Sequence, residues 1–317
     1  MSIFLLDSLV VFLFVEVVLL LLMSVSMFVV LKILRYWDFE ASTTFQYGLE
    51  KRNYLVNTII IFTISVKIIL FILFIKSLDD LSPLVPGAMC ATGVIGVNIY
   101  GNILLVYKIF ILFLLGAWMI VNKLDLMSKK FTYLRKKYYL FVVIFILLSI
   151  EFILEILYFS NISLETPVFC CSVIFVVENL PFGLEVIDIV KIFYLIFISI
   201  VLSNYFKKSS MSFMLNVLFL FIAYYCVTYY FGTYIYEQPN HKCPFCMLQK
   251  DYHYIGYLIW STLFIGVYCG ISPYIVYSLI DVDKKSLLKY NTIFLTLFVL
   301  ACSYFVCSFY IRNGVFL

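Results

Sequence analysis

The chain of 317 residues is 65% hydrophobic and only 13% charged. This composition excludes a soluble globular protein, whose surface needs far more charge than this chain supplies. The net charge of +4 reflects lysines and arginines in short connections, so we expect no nucleic-acid partner. We predict an all-α integral membrane protein, a single multi-pass domain over residues 1–317 that is embedded in a lipid bilayer.

Eight apolar stretches are long enough to cross a membrane, because a hydrocarbon core of about 30 Å needs about 20 apolar residues per helix. The first stretch follows neither a positively charged start nor a small-residue cleavage site, so we interpret it as a retained helix and not a signal peptide. Pro273 is expected to kink or end the seventh helix. The predicted spans are about 9–34, 53–75, 103–121, 138–158, 187–206, 213–235, 253–280 and 292–311.

Lysine and arginine are distributed unevenly over the connections between these spans. Fifteen lie in one set of connections, and only Lys76, Lys242, Lys250 and Arg312 lie in the other. Because the positively charged side of a membrane protein is the cytoplasmic one, both termini and the loops 76–102, 159–186 and 236–252 are predicted to lie outside. We expect a protein of the cytoplasmic (inner) membrane with periplasmic loops.

These outer loops carry five of the nine cysteines, and no cysteine falls in a cytoplasmic connection. Thiols on the outer side of the membrane form disulfides or exchange with redox partners. Adjacent Cys170 and Cys171 rarely bond to each other because that geometry is strained; a distant cysteine such as Cys90, or a soft metal, is the expected partner. The five outer cysteines are Cys90, Cys170, Cys171, Cys243 and Cys246.

Six charged residues away from the ends of the predicted spans are candidates for a site, because ionisable residues inside a membrane are rare and are either functional or paired. All six lie in the outer halves of their helices, and two of the acids are one helical turn apart on one face. They are expected to form a polar chamber that relays protons or holds a head group, or else to pair for purely structural reasons. The six are Glu16, Lys67, Lys108, Glu151, Glu155 and Lys191.

The segment "CPFCMLQK" at residues 243–250 carries the clearest chemical motif. Two cysteines in a Cys-x-x-Cys pattern at the start of a helix benefit from the unsatisfied N–H groups there, which favour a thiolate. Pro244 suits a helix start because it lacks an N–H group. Lys242 and Lys250 add positive charge, so the segment predicts a redox-active thiol pair.

The same segment resembles the bacterial disulfide bond formation protein B family, in which Cys-x-x-Cys is followed by two apolar residues, Gln or Glu, and a basic residue. The related vitamin K epoxide reductases carry out similar chemistry. The resemblance implies a membrane thiol–disulfide oxidoreductase that oxidises a thioredoxin-like periplasmic partner and passes electrons to a membrane quinone. Cys243 and Cys246 would then lie beside the quinone, with Lys250 as the basic residue near it.

By the same resemblance, the second thiol pair of the family would come from Cys90, Cys170 and Cys171. We expect the quinone to be held among the outer halves of the helices. The side chains predicted to line it are Lys250, Lys108, Glu151, Glu155 and Lys191.

Two other interpretations of the segment stay open. His241, Cys243, Cys246 and His253 form a set of soft sulfur and imidazole ligands that suits copper or zinc, which would make the chain a metal-handling or transport protein. Alternatively, the outer cysteines form structural disulfides in an accessory subunit of a larger membrane complex.

Overall fold

The computed structural model describes residues 6–128, 131–169, 183, 185–280, 282 and 286–317. These residues form long helices joined by short connections, and none of them is assigned to a strand. Eight helices are long and apolar enough to cross a membrane, which confirms an all-α multi-pass membrane protein. They are α1 (Asp7–Tyr36), α2 (Thr44–Leu81), α4 (Ile99–Met127), α5 (Leu134–Ser160), α6 (Val186–Tyr205), α7 (Ser209–Tyr236), α8 (Ile255–Ile280) and α9 (Leu287–Asn313), and a short helix, α3 (Ala91–Ile95), lies in the first outer loop.

Polar residues define several helix ends. The side chain of Thr43 accepts a hydrogen bond from the backbone N–H of Gln46 at the start of α2, and Asn98 accepts one from Tyr100 at the start of α4. Gly314 ends α9 in the left-handed conformation that favours glycine.

Side chains that face away from the helix contacts are large and apolar, among them Phe14, at 68% exposure. Such surfaces need a lipid environment.

Two of these helices contain local irregularities. Pro273 does not end α8, which continues to Ile280. The hydroxyl of Ser272, beside this proline, donates to the carbonyl of Tyr268 at 2.6 Å, a bond of the kind that helps membrane helices tolerate proline. Helix α7 contains a π-helical segment over Val227–Phe231, an irregularity that is frequent near functional sites.

The chain divides into two compact units. Unit 1 comprises Met1–Leu84 and Val94–Thr166, and unit 2 comprises Val85–Gly93 and Pro167–Leu317. Unit 1 therefore contains α1, α2, α4 and α5, whereas α6 to α9 lie in unit 2. The nine residues Val85–Gly93, although they belong to the first outer loop, group with the C-terminal helices. This grouping places Cys90 in the same unit as Cys243 and Cys246.

Each unit has its own apolar core with polar groups buried inside it. In unit 1, Trp118 and Phe141 are fully buried, and the buried Lys137 and Asp125 form an ion pair at 2.6 Å. In unit 2, Phe193 stacks on Phe219, and the buried Asn204, Asn216 and Asn291 are joined by hydrogen bonds. Buried polar groups inside a membrane have to satisfy one another because no water is available.

Candidate functional site

Three cysteines from distant parts of the sequence meet in unit 2. One sulfur from each of Cys90, Cys243 and Cys246 lies within 4.8 Å of the other two, and the Cys90 and Cys243 sulfurs are 3.6 Å apart. Cys90 and Cys243 are fully buried, whereas Cys246 is 5% exposed. We call these three residues the thiol cluster, and Cys246 is its most exposed member.

The first outer loop places Cys90 through close backbone contacts. The N–H of Val168 donates to the carbonyl of Pro86 at 2.9 Å. Gly87 has a φ of +81°, and a Cβ atom there would lie 2.5 Å from the carbonyl oxygen of Val168. Only glycine combines that conformation with such a close approach. The carbonyl of Cys90 accepts from the N–H of Gly93 as α3 begins, so the loop is folded tightly around this cysteine.

Tyr236, at the end of α7, holds the Cys-Pro-Phe-Cys segment from the other side. Its hydroxyl donates to the carbonyl of Cys243 and accepts from the N–H of Met247 at 3.0 Å. The indole N–H of Trp260 in α8 donates to the carbonyl of Pro244 at 3.1 Å. Two side chains from neighbouring helices thus fix the backbone on both sides of Phe245.

A hydroxyl group also contacts the thiol cluster. Thr92 Oγ1 lies 3.2 Å from the Cys243 sulfur. With Thr92 as donor, this hydrogen bond stabilises the thiolate form of Cys243, since a hydrogen bond to a charged group favours that form. Cys243 therefore has a polar partner although it is fully buried.

The expected position of the motif at a helix start is wrong. Cys246–Leu248 and Lys250–Tyr252 form two short 3-10 turns, and α8 begins only at Ile255. Gln249 between the turns is extended, and His253 and Tyr254 have positive φ angles. The N–H groups at the start of α8 therefore do not stabilise a Cys243 thiolate. The hydrogen bonds from Tyr236 and Trp260 hold the motif in place instead.

Neither histidine joins the thiol cluster. The His241 ring stacks on Tyr236 with centroids 4.2 Å apart, and His253 is exposed in a left-handed conformation. Within the described part of the chain, the sulfurs of Cys243 and Cys246 group with Cys90 and with no imidazole nitrogen. The four-ligand set His241, Cys243, Cys246 and His253 is thus not assembled. The sulfur of Cys90, and no imidazole, lies beside the two cysteines.

The remaining residues of the predicted thiol site are spread more widely. Cys170 and Cys171 lie outside the described residues. Lys250 is exposed. Partial burial lowers the pKa of Lys242, whose Nζ lies 6.0 Å from the ring centroid of Tyr229.

Unit 1 contains the second polar feature, a buried network of five charged residues. Lys67 Nζ lies 2.7 Å from Glu16 and 2.9 Å from Glu151. Lys108 Nζ lies 2.7 Å from Glu151 and also contacts Glu155 and Glu16. All five side chains are at most 8% exposed. We call this set the charge cluster; its members are five of the six charged residues that were expected to meet because of their depth in the predicted spans.

The sixth residue of that expectation, Lys191, does not belong to the charge cluster. Its side chain is 71% exposed and pairs with Asp188, three residues earlier in α6. A lysine near a helix end reaches the surface with its flexible stem, and this one does so. It therefore lines no buried chamber.

Sequence reasoning identified the three cysteines but missed the residues that hold them. Thr92 and Tyr236 belong to no recognisable motif, and tyrosines near the ends of membrane helices commonly act only as interfacial anchors. One signal was available, because Tyr236 is the last of the tyrosines that end α7 and lies seven residues before Cys243. Comparison with known proteins finds no match to this chain among family models, curated proteins or solved structures.

Proposed function

We propose that this protein is a membrane thiol–disulfide oxidoreductase whose reactive centre is the thiol cluster. The observation that carries the proposal is the meeting of Cys90, Cys243 and Cys246, with their sulfurs within 4.8 Å of one another. Three sulfurs at this separation can exchange a disulfide among themselves with only small movements. Since thiol–disulfide exchange requires a thiolate to reach a disulfide sulfur, proximity is its first requirement.

The exchange between substrate and centre is balanced as follows. A substrate thiolate attacks Cys246 of a Cys243–Cys246 disulfide, that bond breaks, and Cys243 leaves as a thiolate. The second substrate thiolate then attacks the substrate sulfur of the mixed disulfide and releases Cys246. The substrate dithiol loses two electrons and two protons and becomes a disulfide, while the cysteine pair gains the two electrons. Cys246 is the entry sulfur because it is the most exposed of the three.

Cys90 extends the exchange to a third position. In a Cys90–Cys243 disulfide, a Cys246 thiolate attacks Cys243, forms the Cys243–Cys246 bond and releases Cys90 as a thiolate. No electrons are gained or lost in this step, so it only moves the disulfide towards the accessible sulfur. A dithiol protein of the thioredoxin type outside the membrane is the proposed substrate, as the resemblance implies.

Reoxidation of the centre needs a two-electron acceptor, and a membrane quinone is the acceptor class that the resemblance implies. The side chains predicted to line it do not fit that role. Lys108, Glu151 and Glu155 are buried and bound to one another, while Lys191 and Lys250 are exposed. We therefore assign no quinone site to these five residues.

Trapping of thiols in the full-length protein tests the proposal. The protein is treated with diamide or with a reductant, quenched in acid and alkylated, and its disulfides are mapped by mass spectrometry. We expect Cys243–Cys246 and Cys90–Cys243 linkages after oxidation. Cys246→Ser should leave only the second linkage and Cys90→Ser only the first. Cys307→Ser, at an exposed position of α9, is the control and should leave both. Identical labelling of all three cysteines under both conditions would disprove the proposal.

A soft-metal site is the second candidate, and the same three sulfurs favour it. Sulfurs that share one ion at about 2.3 Å lie roughly 4 Å apart, which is compatible with the separation in the thiol cluster. Three thiolates suit Cu(I) or Zn(II). Elemental analysis of the purified protein separates the candidates: stoichiometric copper or zinc that is lost in both Cys90→Ser and Cys246→Ser would replace the redox proposal.

A further inference from the structure

The charge cluster of unit 1 contains one more acid than it has bases. Three carboxylates, from Glu16, Glu151 and Glu155, face two ammonium groups, from Lys67 and Lys108. With all five groups ionised, the cluster carries one uncompensated negative charge. A buried charge without a partner is very costly, and the usual remedy is to neutralise it.

The cluster lies well inside the membrane-spanning part of unit 1. Glu16 lies nine residues into α1, Lys108 lies nine residues into α4, and Glu151 lies nine residues before the end of α5. At 1.5 Å per residue, each is about 14 Å from the helix end. Glu155, five residues before the end of α5, is about 8 Å from that end. Because all five side chains are at most 8% exposed, the excess charge has to be met inside the cluster.

The two lysines are held in their charged form. Lys67 bridges Glu16 and Glu151. Lys108 bridges Glu151 and Glu155, and its Nζ also lies 5.0 Å and 4.9 Å from the ring centroids of Phe12 and Phe74. Aromatic faces attract an ammonium group. Neutralisation of a lysine would only enlarge the excess of negative charge.

Glu155 is the acid with the least compensation. Its Oε1 accepts from Lys108, but its Oε2 is buried and has no hydrogen-bond partner among the described residues. The side chain is fully buried. The charged groups that face it are those of Lys67, Lys108, Glu16 and Glu151. Tyr107, which interacts with Glu151, donates its hydroxyl to the carbonyl of Leu147. An unpartnered carboxylate oxygen inside a negative cluster is a place for a proton.

A crevice of about 10 Å³ adjoins one part of the cluster. It is lined by Glu16, Thr63, Lys67 and Phe152 among others, and Glu155 is not among its lining residues. This volume is close to the space that a single water molecule requires. One water there would lie beside Glu16 and Lys67, the two cluster members that line the crevice.

We propose that the charge cluster is a proton-binding site in which Glu155 carries one proton that exchanges with water. The proton balances the third carboxylate. Exchange for another proton leaves this balance unchanged, whereas net release requires another positive charge or a rearrangement of the cluster. The site lies wholly within unit 1, so it does not depend on the thiol chemistry of unit 2 and survives a failure of that proposal.

Infrared difference spectroscopy of the full-length protein in lipid nanodiscs tests this site. At neutral pH we expect a carboxylic-acid C=O band that shifts in D₂O and is lost in Glu155→Gln. Glu165→Gln, an exposed glutamate of the same unit, is the matched control and should keep the band. Glu155→Asp should keep the band at a changed frequency, because the proton then lies on a shorter side chain.

Three results would overturn the assignment. The first is the absence of a carboxylic-acid band in the wild-type protein, and the second is a band that persists in Glu155→Gln or is unchanged in Glu155→Asp. The third is loss of the band on addition of Na⁺ or K⁺, which would identify a metal cation as the neutralising ligand. Circular dichroism and size-exclusion chromatography establish that each variant is folded before its spectrum is compared.

Discussion

At the scale of single residues, the thiol cluster depends on side chains that hold backbone groups in place. Tyr236 satisfies the Cys243 carbonyl and the Met247 N–H at once, so it acts as a positioning residue and contacts no sulfur in these bonds. The loss of a hydrogen-bond partner from a buried backbone group costs roughly 1–3 kcal/mol. One hydroxyl therefore has a large influence on the geometry of the motif.

We predict that Tyr236→Phe slows disulfide exchange without removing any thiol. Loss of the hydroxyl frees the Cys-Pro-Phe-Cys backbone, and Cys243 spends less time at contact distance from Cys90. The rate at which the Cys90–Cys243 disulfide forms under diamide should fall several-fold, as followed by timed alkylation and mass spectrometry. Tyr254→Phe, at an exposed position, is the matched control and should keep the wild-type rate. Equal rates in both variants would show that Tyr236 only fills space.

The charge cluster shows what residue-level reasoning can reach. Intramembrane charges are conspicuous in a sequence, and their depth along each helix predicted that six of them meet; five of them do. Lys191, like Lys108, is followed by Ile-Phe near the start of its helix. It nevertheless faces the surface and pairs with Asp188. Only packing decides which lysine turns inward, because both stems are long enough to reach either environment.

At the scale of elements, the apolar stretches predicted where all eight long helices lie, and the helix ends deviated for a physical reason. Helix α2 begins at Thr44, well before the predicted 53, because polar helix formers such as Gln46 and Glu50 continue it beyond the apolar stretch. Hydrophobicity reports the thickness of the membrane, whereas the helix ends where capping and turn residues interrupt it. Hydrophobicity likewise does not predict the two turns at Cys246–Leu248 and Lys250–Tyr252, because they directly precede the apolar stretch of α8.

Helices α7 and α8 approach each other closely at Gly270. A Cβ atom on Gly270 would lie 2.3 Å from Nδ2 of Asn216, and Asn216 Oδ1 accepts from Asn291 Nδ2 at 2.7 Å. Small residues allow membrane helices to approach closely, and polar side chains then bond across the interface. Gly270 is therefore needed to leave room for the asparagine network of unit 2.

We predict that Gly270→Ala lowers the thermal stability of the detergent-solubilised protein. The added methyl group must displace Asn216 and break its bond to Asn291, at a cost of about 1–3 kcal/mol. Gly48→Ala in α2 has no heavy atom within 4 Å of the new Cβ and should be neutral or stabilising by about 0.5–1 kcal/mol. Removal of the obstructing side chain in Gly270→Ala/Asn216→Ala should make the two changes non-additive. A fully additive loss would contradict the steric explanation.

At the scale of the whole molecule, the fold class followed from composition, whereas the assembly of the thiol cluster did not. Cys90 and Cys243 are 153 residues apart, and no local pattern encodes a contact over that distance. The loop that carries Cys90 groups with the C-terminal helices through bonds such as Val168 to Pro86. Cysteine spacing indicated which residues carry the chemistry, but only the fold determines which of them meet.

The membrane orientation is the last prediction, and it decides which compartment the thiol cluster meets. The positive charge bias predicts that the connection before α2 lies inside and the connection after α7 outside. In a parent in which Cys170, Cys171 and Cys307 are replaced by serine, Asn240→Cys should react with a membrane-impermeant maleimide on intact cells. Ser42→Cys should react only after the membrane is permeabilised. The parent gives the background, since its remaining cysteines in the described part of the chain are buried. The reverse labelling would place the cysteine loops in a reducing compartment, where a stable disulfide is disfavoured and a bound soft metal becomes the better explanation of three adjacent sulfurs.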